Sequence, residues 1–130
     1  MNSLKVSAWL AVAMGAIGSG LKIVRVLRQS EWWPFFVYDY LAVFLLVVGG
    51  VAVLRGGVTG RWLAAGWGFG VAMTYGSFFG HLEKLTSHTG VDPSFERTMV
   101  ASTGLLLAIN LAGLVLTLWR ASGARAQPAA

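Results

Sequence analysis

Among the residues of this chain, Asp39 is the best placed to do chemistry. It lies five residues after Pro34 inside an apolar stretch, and Lys22 and Arg25 close the preceding apolar stretch, six and three residues before Arg28. At about 1.5 Å rise per residue, Asp39 and Lys22 sit at matching depth, ~8 to 9 Å from the connection between the two stretches, so they meet across a hairpin. A carboxylate beside two cations supports either of two chemistries. One is a closed ion pair that fixes helix register; the other is a site where the carboxylate holds a ligand or takes up a proton. An isolated charge at bilayer depth costs about 2.5 to 3.5 kcal/mol on insertion scales, which pairing offsets. Tyr38 and Tyr40 flank Asp39, where they read as aromatic belt or as hydrogen-bonding partners.

A second group lies in Phe78-Phe79-Gly80-His81-Leu82-Glu83-Lys84. His81 with Glu83, His88 or Asp92 offers donors for a divalent ion, but the spacing matches no metal signature. His81 and His88 approach a macrocycle from one segment, whereas two axial histidines must come from opposite faces, so a single chain is not expected to hold haem. Asn110, in the middle of the last apolar stretch, is the deepest strong hydrogen bonder. It is expected to bridge helices, or two copies of the chain, for about 0.6 kcal/mol. No Ser or Thr has a base placed by a motif, and the acids form no catalytic pattern, so an enzyme is not expected. The absence of cysteine excludes disulfides and thiolate ligands. Neither metal nor cofactor is expected.

The elements that position these groups follow from composition. The 130 residues are 56% apolar and only 12% charged, against about 25% charge in soluble domains. A bilayer span needs roughly 20 apolar residues, and four stretches qualify: about 6–27, 32–54, 61–82 and 93–119. The fold expected is all-α, an integral membrane four-transmembrane-helix up-down bundle in one domain over residues 1–120, with 121–130 as a disordered tail. The charge of +5 sits at span ends, which suits headgroups rather than nucleic acid; no basic run carries interleaved aromatics. Gly18-Ser19-Gly20 could imitate a signal-peptide cleavage site, but apolar character resumes beyond it. Ser30 or Glu31 is expected to cap the second helix, behind Trp32-Trp33-Pro34, and Arg55-Gly56-Gly57 to stop it. Glycine at 66, 68, 70, 76 and 80 would oppose a helix in water but favours close packing in lipid. Gly66-x-Gly68-x-Gly70 lacks the strand that a nucleotide loop requires. Asp92-Pro93 reads as an N-cap followed by a first helical position.

Side chains three, four, seven or eleven apart share a helix face. That rule aligns Ala8, Ala11, Gly15, Gly18, Lys22 and Arg25; then Asp39, Ala42, Val43, Leu46 and Gly49-Gly50; then Gly66, Gly70, Thr74, Ser77 and His81; and last Glu96, Thr103, Asn110 and Thr117. Each stripe combines small residues with polar ones and should face the interior. The acids Glu31, Asp39, Glu83, Asp92 and Glu96 gather on the side opposite the termini. Glu31, Asp92 and Glu96 read as helix-start chemistry, which leaves Asp39, with Glu83 beside His81 as its nearest addition. Lys and Arg are five on each side; Lys22 and Arg25 fall within the first helix and the positives of the termini side have no acidic partners, so both termini are expected in the cytoplasm of a multi-pass cell-membrane protein.

In function, these observations point first to a binding or accessory protein of the membrane whose polar cleft near Asp39 engages a membrane protein, a lipid or a second copy of the chain. A small oligomeric ion- or proton-coupled transporter using Asp39 is the alternative, and a quinone- or haem-handling subunit built on His81 is a weaker one. The likeness to the small multidrug transporters is of size alone, because the first span carries no acid.

Overall fold

The computed structural model describes residues 3–28, 33–56, 60–89 and 92–123, with side chains described over 3–19, 37, 39–56, 60–89 and 92–119. They form four α-helices: α1 (Ser3–Arg28), α2 (Trp33–Leu54), α3 (Arg61–Thr86) and α4 (Pro93–Gly123). No strand occurs among the described residues. The expected all-α bundle is therefore what the chain forms. Of the four expected spans, Pro93–Trp119 is long and apolar enough to cross a membrane, with 27 residues and mean hydropathy 2.1. Ser3–Ser19 and Asp39–Leu54 are shorter apolar helical segments.

Helix ends follow local chemistry. Gly56 takes a left-handed φ of 90° and donates its N–H to the Val53 carbonyl at 3.1 Å, closing α2 where the basic residue and glycine predict. The third helix outruns its expected end at Leu82 and stops at Thr86. Thr86 and Ser87 each return a hydroxyl bond to the Glu83 carbonyl. Past them His88 turns left-handed at φ 54°, and the Thr89 N–H reaches the Lys84 carbonyl at 3.2 Å. This is a Schellman-type stop with histidine in glycine's usual place. At the start of α4, Asp92 Oδ1 accepts from the Ser94 N–H at 2.8 Å and from its hydroxyl at 2.9 Å, as the cap reading predicts. The helix continues four residues beyond Trp119, so Ala121 to Gly123 are helical rather than tail. The caps expected at Ser30 or Glu31, the Trp32 anchor and the tail over 124–130 lie outside the described residues.

Adjacent helices run antiparallel in ring order α1, α2, α3, α4, and glycine sets how closely they approach. A Cβ added at Gly49 would lie 2.5 Å from the Leu63 backbone nitrogen, and one at Gly66 2.9 Å from that of Leu46, so α2 and α3 touch backbone to backbone. Gly50 lies against the Ala8 carbonyl and Gly15 against Val47, which brings α1 onto α2. Between α3 and α4, Gly70 faces Asn110, Gly113 faces the Trp67 indole and Gly104 faces Phe78. The apolar core of Ala8, Ala11, Leu46, Val53, Leu63 and Trp67 occupies the half of the bundle nearest the termini. Large side chains point the other way: Phe44 and Leu105 are 61% and 64% exposed, and others like them occur on every helix.

Two outcomes check this account. Gly49→Ala should destabilise the fold by about 1 to 3 kcal/mol through overpacking, whereas Gly68→Ala, which meets nothing within 4 Å, should be neutral or slightly stabilising; thermal unfolding of the two variants decides. The hydrogen bonds from the Ser94 backbone and then its hydroxyl hold the Asp92 carboxyl below its ordinary value. Because the folded value is depressed, its contribution to the α4 start is present above about pH 4 and is lost as pH falls through the lowered value. Amide exchange at Ser94 and Phe95, corrected for intrinsic rate, should therefore accelerate below pH 4, and Asp92→Asn should remove that dependence.

Candidate polar seam between the third and fourth helices

The residues of α4 spaced by seven are all buried: Glu96, Thr103, Asn110 and Thr117. Three of them satisfy themselves along their own helix. Thr103 donates to the Met99 carbonyl at 2.6 Å, Asn110 to that of Leu106 at 2.8 Å, and Thr117 to that of Gly113 at 2.8 Å. Thr74 of α3 does the same with Gly70 at 2.7 Å. Among the described residues no buried side-chain nitrogen or oxygen lacks a hydrogen-bond partner, as a low-dielectric interior demands.

The seam has a tie at each end. Toward the acidic side, His81 Nδ1 and Glu96 Oε2 stand 2.6 Å apart, the side chains 18% and 7% exposed, so the Glu96 carboxyl is buried and depends on the imidazole. Phe95 meets the His81 ring edge-on, with centroids 6.3 Å apart. In the tautomer that carries the proton on Nδ1 the imidazole donates to the carboxylate, and Nε2 is then a lone pair that accepts from a donor. Toward the termini, the Trp67 Nε1–H donates to Ser7 Oγ at 2.8 Å, and Ser7 Oγ lies 2.7 Å from Thr117 Oγ1 and 3.0 Å from the Gly113 carbonyl. This knot joins α1, α3 and α4.

The residues singled out from sequence fare differently. His81 and Asn110 both belong to the seam. Glu83 does not: it is exposed, and the acid that reaches His81 is Glu96 across the helix pair. Sequence reasoning assigned Glu96 to helix-start chemistry, and only its place in the seven-residue stripe hinted at more. Asp39 is half-buried and lines a small, shallow recess with Ser19, Tyr40 and Val43. It makes a side-chain or electrostatic interaction. The side chains of Lys22, Arg25 and Tyr38 lie outside the described residues, and with them the expected pairing to Asp39. Ser77, expected on the inner face, is exposed, because the buried face of α3 turns through Thr74, Phe78 and His81 toward α4. Ser7 and Trp67 were missed, since their meeting spans 60 residues of chain and no spacing within one helix signals it.

A double-mutant cycle tests the acidic-side tie. His81→Ala and Glu96→Ala should each destabilise, and together they should show a coupling of about 1 to 2 kcal/mol, measured from unfolding free energies of the four proteins. Additive losses would mean that the two groups do not support each other.

No protein-family model, no curated protein and no solved structure matches this chain.

Proposed function

We propose that the chain is a four-span membrane protein that acts as a binding or accessory subunit, with both termini cytoplasmic, and that it engages its partners through its outer surface and its acidic-side end. One observation carries this reading: among the described residues the buried polar side chains all have hydrogen-bond partners within the chain, while large apolar side chains lie exposed on all four helices. Such a distribution suits a lipid solvent, where intramembrane polar residues face the bundle interior. The ties from Trp67 to Ser7 and from His81 to Glu96 join helices at the two ends of the seam, so a route for an ion between them would have to break one. The exposed charged and ionisable groups of the acidic-side end are Glu83, Lys84, His88, Asp92 and Arg97.

A proton- or ion-coupled transporter built on Asp39 is the second reading, favoured by the recess that Asp39 shares with Ser19 and Tyr40. Vesicles separate the two. The chain should stay with the membrane through alkaline carbonate washing, and proteoliposomes loaded with a pH-sensitive dye should show proton flux no greater than empty vesicles. Flux above that level, abolished by Asp39→Asn in a protein that still inserts, would transfer the assignment to transport.

A further inference from the structure

We infer that the end of the bundle carrying the termini is a binding surface for anionic phospholipid headgroups; this rests on the membrane reading above. Three cations stand at that end with exposed side chains: Lys5 in the first turn of α1, Arg55 just past α2 and Arg61 at the first position of α3. Packing brings the neighbours of Lys5 and Arg61 together. Gly60, next to Arg61, fits so closely that an added Cβ would lie 3.0 Å from Leu4 and 3.3 Å from Thr117, which sets the start of α3 against the start of α1 and the last turns of α4. No acidic residue occurs at this end in the sequence, from Met1 to Lys5, from Arg55 to Arg61 or after Arg120.

The opposite end makes the contrast. There, among the described residues, the exposed cations Lys84 and Arg97 stand with the exposed acids Glu83 and Asp92, so these charges balance and favour no sign of headgroup. At the termini end the positive field is uncompensated. It is also bordered by indoles, with Trp62 60% and Trp119 76% exposed. Tryptophan settles at the level where acyl chains meet headgroups, so the cations beside it lie at phosphate height. A zwitterionic headgroup returns an ammonium for every phosphate, whereas an anionic one leaves its charge for Lys5, Arg55 and Arg61. The occupant is therefore a phospholipid of net negative charge.

The full chain in nanodiscs of mixed phosphatidylcholine and phosphatidylglycerol supplies the test, with native mass spectrometry reading the lipids retained on release. Phosphatidylglycerol should be over-represented relative to its share of the bilayer. Arg55→Gln or Arg61→Gln should each lower that preference about fivefold, the equivalent of ~1 kcal/mol per cation at an anionic surface, and Lys84→Gln at the balanced end should leave it unchanged. Circular dichroism confirms that the variants keep their helices. Equal retention of the two lipids, or a loss with Lys84→Gln as large as with Arg61→Gln, would overturn the inference while leaving the membrane reading intact. Failure of the wild-type chain to enter nanodiscs of phosphatidylcholine alone would overturn that reading, and this inference with it.

Discussion

The indole of Trp67 imposes the constraint on which the rest of the bundle depends. Its side chain has no exposure at all, and a group that large fits between helices only where something small yields room. Gly113 yields it, since a Cβ there would collide with the ring. The ring also brings a polar N–H into a place without water, and that donor must be met. Ser7 of α1 meets it, across the diagonal of the ring of helices. Every member is then satisfied: the Trp67 N–H donates to Ser7, the Ser7 and Thr117 hydroxyls bond to each other, and the Gly113 carbonyl accepts from either hydroxyl. The chain of bonds closes on the residue beneath the indole, so size and polarity are accommodated by the same four residues.

From that knot the seam between α3 and α4 extends to the other end, where His81 and Glu96 close it. Between the two ties the contacts are of small residues on larger ones: Gly70 on Asn110, Gly104 on Phe78. Helices that approach over glycine gain dispersion contacts along their length, and these contacts set the register in which a buried carboxylate on α4 finds an imidazole on α3. The geometry at the acidic end is therefore a product of packing at the middle and at the termini. The α1 and α2 pair meets in the same way through Gly15, Gly18 and Gly50, with Asp39 half-buried near its other end.

Much of this was legible in the spacing of residues within each helix. The four stripe positions of α4 are buried as expected, and so are Ala8, Ala11 and Gly15 of α1 and Ala42, Leu46, Gly49 and Gly50 of α2. Helical periodicity shows which residues share a face, and the small ones among them mark where a neighbour comes close. It says nothing about which residue of the neighbour arrives. That is why Glu96 could be placed on an inner face and yet be credited to its helix start, and why Glu83, nearer to His81 in sequence, looked like the better companion. The Ser7 and Trp67 meeting needs the whole ring of helices in place before it exists. Ser77 shows the opposite error: the period put it inside, but the turn of α3 toward α4 moved the buried face past it.

The bonds that Thr103, Asn110 and Thr117 make one turn back along α4 have a consequence for the order of assembly. A helix that answers its own polar side chains can stand in an apolar medium before any neighbour packs on it, and α4 is also the described helix long and apolar enough to cross a bilayer. Most of its polarity therefore sets no condition on when it must pack. Glu96 is different, because its partner belongs to another helix. Its carboxyl finds a home only when α3 and α4 close as a hairpin, which makes that pairing a checkpoint between helices that are merely present and a bundle that is formed.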